Sequence, residues 1–240
     1  MIHVVKLLIT VWFPDEVEDA VAGGADVVDV KDPSVGSLGL PNLGVVAEVV
    51  ERVRGVREVS VAIGDVRCPG RYLEYVAYAV ARLGVSYVKV GLEVPSVDLG
   101  TEVVTQVVEG LRYCSEKPKL VIVGYADYVR VNSLPPMKVL EVAYKVSADG
   151  IMVDTRIKDG TTTFDYLTSE YLKCLVAKAK DYGLFTAVAG SLKKEHIHRC
   201  VELGFDVIGF RSAACERGRL GRVSRKLVEE LKSEVLRYAK

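Results

Sequence analysis

Eight short runs rich in Val and Ile recur along the chain, each followed by an amphipathic stretch, and this alternation constrains the fold most. The runs cover residues 4–9, 27–31, 59–64, 87–91, 120–124, 150–154, 185–190 and 207–211. Runs that are apolar on both faces suit strands covered on both sides, as in a parallel sheet. The intervening helices are expected to begin near Pro14, Asn42, Pro69, Gly100, Pro136, Thr168, Lys193 and Ser224. Pro14 precedes the acidic pair Asp15 and Glu16, and Ser191 and Ser224 stand where helix caps belong. Turns such as Gly23-Gly24-Ala25-Asp26, Ala148-Asp149-Gly150 and Leu203-Gly204-Phe205-Asp206 carry the glycine that stops a helix. Eight such units in one chain predict an α/β fold, a (β/α)8 TIM barrel. A doubly wound open sheet is the rival. It usually has a Gly-rich turn after its first strand, whereas here Ile9-Thr10-Val11-Trp12 follows.

The chain has 240 residues, a length that one barrel domain accommodates, and no composition break or linker divides it. Lys+Arg and Asp+Glu both number 32, so no basic field invites nucleic acid. No apolar run reaches membrane-spanning length. The apolar start, residues 1–11, carries Lys6 and runs into Pro14, so it reads as a core strand and not a signal peptide. Cys68, Cys114, Cys174, Cys200 and Cys215 form no close pair, which suits reduced thiols in the cytoplasm and gives no metal-ligand spacing. His3, His196 and His198 form no site either, since residues two apart on a helix do not share a face. No metal and no cofactor are expected. The oligomeric state stays open, and a homo-oligomer is compatible with the sequence.

Charged residues interrupt the strands at particular points. In Asp29-Val30-Lys31 the period of two puts both charges on the face opposite Val28 and Val30. Lys89 likewise faces away from Val88 and Val90, and Asp154 away from Val153, with Lys158 close behind. Burying a charge on the inner face of an apolar strand is costly unless it is paired or used. Barrel active sites sit at the C-terminal strand ends, where alternate strands contribute to one layer. Lys31, Lys89 and Asp154, from strands two, four and six, are therefore expected to meet at one level. Amines crowded together and partly desolvated have lowered pKa values, as a Schiff-base nucleophile needs. The plain alternative is a structural ion-pair layer inside the barrel.

Two loop regions add to this. Ala189-Gly190-Ser191 follows strand seven, and Gly209-Phe210-Arg211-Ser212 closes strand eight. Barrels often hold phosphate there on backbone N–H groups. Gly190 and Gly209 let the backbone approach an anion, Ser191 and Ser212 offer hydroxyls, and Arg211 offers charge. The loop from Lys31 to Gly39 is long and rich in Gly and Ser, and reads either as a lid or as an ordinary connection.

At these residues the chain resembles the archaeal-type (5-formylfuran-3-yl)methyl phosphate synthases. The likeness is carried by Asp29-Val30-Lys31-Asp32-Pro33 with Gly36-Ser37-Leu38-Gly39, by Ile63-Gly64-Asp65-Val66, and by Tyr87-Val88-Lys89-Val90-Gly91-Leu92. It continues through Asp154-Thr155-Arg156-Ile157-Lys158-Asp159-Gly160, Ala189-Gly190-Ser191-Leu192 and Arg211-Ser212-Ala213-Ala214-Cys215. The resemblance implies a barrel enzyme that joins two molecules of glyceraldehyde 3-phosphate, with loss of phosphate and water, into a furan aldehyde phosphate used for methanofuran. It implies the Schiff-base lysine at Lys31, the proton acceptor at Lys89, and further active-site roles for Asp29, Asp154 and Lys158. The chain departs from the family pattern at Glu216-Arg217-Gly218-Arg219, where a more acidic turn is expected, and at Asp32, where Asn is common. A Schiff-base aldolase on another sugar phosphate and a non-catalytic sugar-phosphate-binding barrel are the alternative functions.

Overall fold

All the strands pair in parallel in chain order, and the last pairs with the first, closing the barrel. The computed structural model describes residues 4–53 and 55–238. His3 lies outside the described residues. The strands are β1 (Lys6–Val11), β2 (Val27–Val30), β3 (Glu58–Val66), β4 (Tyr87–Leu92), β5 (Lys119–Tyr125), β6 (Gly150–Asp154), β7 (Phe185–Val188) and β8 (Val207–Phe210). Around them lie α1 (Val17–Ala22), α2 (Leu43–Val53), α3 (Tyr72–Ala81), α4 (Val97–Leu111), α5 (Pro136–Lys145), α6 (Thr163–Tyr166), α7 (Ser169–Asp181), α8 (Ile197–Glu202) and α9 (Arg225–Tyr238).

The helices bury one stripe each against the outer face of the sheet. In α2 the stripe is Val46, Val49 and Val53, and in α9 it is Val228, Leu231 and Val235. This is the helical spacing, and each such side chain is worth about 1.5–3 kcal/mol of burial. The inner face builds a smaller core from Leu8, Val27, Ala62, Tyr87, Val121, Val123, Met152, Ala187, Ala189 and Val207. No described helix is long and apolar enough to cross a membrane.

Three sequence expectations shift. β1 begins at Lys6 and ends at Val11, two residues later than its apolar run suggests, and Val4 is exposed. α4 starts at Val97, where Ser96 Oγ accepts a hydrogen bond from Leu99 N, so the cap lies ahead of Gly100. The short α6, ahead of α7, has no counterpart in the sequence reading.

The register sets the height of every inward side chain. In a barrel of shear 8 the level rises by one residue from strand to strand, so alternate strands share a layer. Following the pairings round the barrel places Asp29, Lys89, Met152 and Gly209 in one layer. The next layer up in the same strands holds Lys31, Gly91, Asp154 and the start of the β8 exit at Arg211. Lys89 therefore sits one layer below Lys31 and Asp154, not at their level. The reason is that β4 runs on past Lys89, and Gly91 takes the upper position.

That upper position must be glycine. A Cβ on Gly91 would stand 2.0 Å from Tyr125 Oη and 2.7 Å from Leu38 Cδ1. A bulge in β3 completes the arrangement. The register advances three residues between Ala62 and Asp65 while β4 advances two, from Lys89 to Gly91. The extra residue gives Asp65 the inward parity that plain alternation denies it.

Candidate active site

Lys31 leaves the end of β2 into the barrel mouth and is buried, as are Asp29, Lys89 and Asp154. Its Nζ lies 3.9 Å from Asp154 Oδ2. The other oxygen, Oδ1, accepts from Lys158 Nζ at 2.5 Å and from Thr155 N at 2.7 Å. Among the described residues Oδ2 finds no hydrogen-bond partner. One carboxylate thus holds Lys158 firmly and leaves its second oxygen facing Lys31.

Burial pulls the Lys31 amine down to about 7. The Asp154 charge opposes that fall, while the neighbouring Lys89 and Lys158 charges reinforce it. Burial works against ionising Asp154, but Lys158 and then Lys31 overcome it and hold the carboxyl down to about 2. Burial also lowers Lys158, with Asp154 opposing. The outcome is one amine poised to be neutral near pH 7, beside a carboxylate that stays ionised.

One layer down, Lys89 Nζ lies 2.7 Å from Asp29 Oδ1. The two atoms are too poorly aligned for a hydrogen bond, so the contact is an ion pair only. Asp29 Oδ2 accepts from Thr10 Oγ1 at 3.0 Å. Lys89 also lines a second small cavity beneath, with Ser60, Val121 and Ala187. Leu8 and Met152 border both cavities and form the floor between them.

The upper cavity is about 30 Å³ and is lined by Asp29, Lys31, Asp154 and Lys158 on one side. Gly190, Gly209, Arg211 and Ser212 line the other. Ser191, expected there from the sequence, does not reach it; Leu192 does. Gly190 and Ser191 both take left-handed backbone, at φ 99° and 51°, which aims this turn inward. A Cβ on Gly190 would stand 2.1 Å from Thr163 Oγ1, so the residue also lets α6 approach.

Arg211 is placed differently from the sequence expectation. Its guanidinium forms an ion pair with buried Glu16, Nη1 to Oε2 at 2.8 Å and Nη2 to Oε1 at 3.1 Å. It also donates to the carbonyls of Thr10, Arg219 and Gly221. All its donors are engaged, so it borders the cavity as a structural tie between the ends of β1 and β8.

The loop between β2 and α2 lies over the mouth. Leu38 N donates to Asp65, 3.2 Å from each carboxylate oxygen, and Ser37 Oγ donates to Thr155 O at 2.8 Å. Leu38 itself is buried in the inner core. Tyr125 Oη donates to Asp65 Oδ1, and burial together with the Asp65 charge raises that phenol well above its usual value. Sequence reasoning missed Thr10, Tyr125, Glu16 and Arg219. Thr10 alone had a usable signal, its inward parity two residues after Leu8. Among the described residues, no group of three or more His, Cys, Asp or Glu is placed to hold a metal ion.

Residues 7–232 match the family model described as 4-HFC-P synthase. The chain is 38% identical over 230 residues to the (5-formylfuran-3-yl)methyl phosphate synthase of Methanosarcina barkeri, covering 95% of this chain and 98% of that one. It is 41% identical over 239 residues to the enzyme of the same name from Methanopyrus kandleri, covering 94% and 98%. Among solved structures, 3-hexulose-6-phosphate synthase from Salmonella typhimurium superposes with TM-score 0.65 at 15% identity, over 98% of this chain and 100% of that one. Orotidine 5'-phosphate decarboxylase from Pyrococcus horikoshii gives TM-score 0.65 at 15% identity, over 96% and 99%. At that identity the structural likeness speaks for the barrel alone. The full-length sequence match goes further, and the chain belongs to the 4-HFC-P synthase family.

Proposed function

We propose that the chain makes (5-formylfuran-3-yl)methyl phosphate from two molecules of glyceraldehyde 3-phosphate, as a carbon–oxygen lyase serving methanofuran biosynthesis. The observation that carries the reading is the buried Lys31 amine, held near pH 7 and facing an otherwise unbonded oxygen of Asp154. Full-length membership of a family whose relatives bear that product's name supports it.

In this reading the neutral Lys31 amine attacks the carbonyl carbon of a triose phosphate. Asp154 Oδ2 takes up the proton that the nitrogen sheds, and a proton returned to the carbinolamine oxygen expels water. The resulting iminium draws electrons from the neighbouring carbon and acidifies its C–H. Lys89, paired with Asp29 in the layer below, passes its own proton to that carboxylate and, now neutral, accepts this one. The carbon so activated attacks the second aldehyde. Lys158, hydrogen-bonded to Asp154 and Thr155, supplies and removes protons as water and phosphate leave, and water finally hydrolyses the imine to release the aldehyde and the free Lys31 amine. The phosphate groups rest on the turns at Gly190, Gly209 and Ser212, which line the cavity.

Purified protein given glyceraldehyde 3-phosphate alone should generate the ultraviolet absorbance of a furan aldehyde. Borohydride added during turnover should leave a triose-derived mass on Lys31, and Lys31→Ala should lose both signals. An aldol product without the chromophore would reduce the activity to that of a simple aldolase. Binding without any adduct would make the chain a sugar-phosphate-binding barrel.

A further inference from the structure

With Lys31 neutral, the other charges around the upper cavity cancel in pairs: Lys89 with Asp29, Lys158 with Asp154, and Arg211 with Glu16. Among the described residues that line the cavity, Arg219 is the cation left over. It lines the cavity together with Lys31, Lys158 and Ser212, and it reaches the loop that closes the mouth. Among the described residues no carboxylate forms an ion pair with it, and Asp154 and Asp65 act on it only at longer range. Its bonds run from one nitrogen. Nη2 donates to the carbonyls of Pro33, at 3.1 Å, and Gly36, at 2.5 Å, both in the closing loop. Nε and Nη1 hold no such partner. A partly buried guanidinium whose partners are two neutral carbonyls has most of its charge unanswered. The donors left on Nε and Nη1 can each reach a phosphate oxygen, and charge-assisted bonds of that kind are about twice as strong as neutral ones.

We infer that Arg219 recognises the phosphate monoester of the substrate and, by gripping Pro33 and Gly36 at the same time, couples closure of the β2–α2 loop to occupancy of the site. This rests on the reading of the chain as an enzyme of triose phosphates. Arg211, the expected phosphate arginine, is replaced in that role by the residue whose carbonyl it holds at 2.9 Å.

The test uses the full chain as wild type, Arg219→Lys and Arg219→Gln. Binding of glycerol 3-phosphate, which has no carbonyl to react, is followed by thermal shift and by hydrogen exchange of residues 33–39. In the wild type it should raise the melting temperature and slow exchange in that loop. Arg219→Gln should weaken binding by about tenfold, equivalent to the loss of ~1.4 kcal/mol, and abolish the protection. Arg219→Lys, which keeps the charge but cannot hold the loop carbonyls and a phosphate with separate nitrogens, should fall between, and it carries the test if the Gln variant does not fold. The preference of borohydride trapping for glyceraldehyde 3-phosphate over glyceraldehyde should drop in parallel. Unchanged glycerol 3-phosphate affinity in Arg219→Gln would overturn the inference and leave Arg219 as a loop tie alone. Arg219-dependent binding in a protein that forms no borohydride adduct would uphold the inference while refuting the Schiff-base reading.

Discussion

At the scale of single residues, two lysines one layer apart are distinguished by their surroundings. Among the described residues no hydrogen bond reaches the Lys31 amine, which contacts Asp154 at 3.9 Å and has its pKa lowered to about 7. Trapping by borohydride should therefore rise with pH, reach half its maximum near 7, and fall by about tenfold per unit below that. Asp154 opposes the lowering, so Asp154→Asn should move this acid limb to lower pH even as turnover is lost. A limb that stays in place, or moves up, would separate Lys31 from the titrating group. Lys89 predicts a different signature. Arg at that position keeps a cation for Asp29 yet accepts no proton in this range. Lys89→Arg should fold and be trapped at Lys31, but form no furan chromophore. Near-normal turnover in that variant would hand the proton acceptor's part to Lys158 or an aspartate.

At the scale of elements, the site is assembled by the ends of β2, β3, β4, β6, β7 and β8 and by one loop folded inward. Gly91 shows how tightly these meet, since Tyr125 Oη and Leu38 Cδ1 fill the space a methyl would need. Gly91→Ala should cost about 1–3 kcal/mol by overpacking and push Leu38 out of the barrel. Urea unfolding would read the first effect, and faster amide exchange in residues 36–39 the second. Normal exchange in that loop would mean that Tyr125 alone yields. Much of this architecture was legible beforehand, because burial on both faces writes a strand as an apolar run and a charge within it stands out. Asp29, Lys31, Lys89, Asp154 and Lys158 were visible for that reason. What was hidden depends on geometry between strands. The shear that lowers Lys89 by a layer and the bulge that turns Asp65 inward leave no mark in local periodicity. Arg211 and Arg219 look alike in the chain, and only the folded loop decides which one is consumed by Glu16.

At the scale of the whole molecule, closure of the barrel depends on a buried ion pair outside the chemistry. Glu16, just after β1, accepts from Trp12 N at 2.6 Å and from Val223 N at 3.2 Å, and pairs with Arg211 at the end of β8. One side chain thus ties the first strand, the last strand and the segment leading into α9. Burial works against its charge, yet the Arg211 bond and charge lower its pKa below the ordinary carboxylate value. Glu16→Gln would leave the Arg211 guanidinium buried without a counter-charge, which typically costs about 3–5 kcal/mol. For a chain of this size that corresponds to a fall in melting temperature on the order of 10 °C. The sign of the pH dependence follows from the lowered pKa: the pair stabilises above the unfolded carboxyl's value and is lost as pH falls through the folded one. The gap between wild type and Glu16→Gln should accordingly be widest near neutrality and close on acidification. Equal stabilities at pH 7, with unchanged denaturant slope, would show that barrel closure does not draw on this pair.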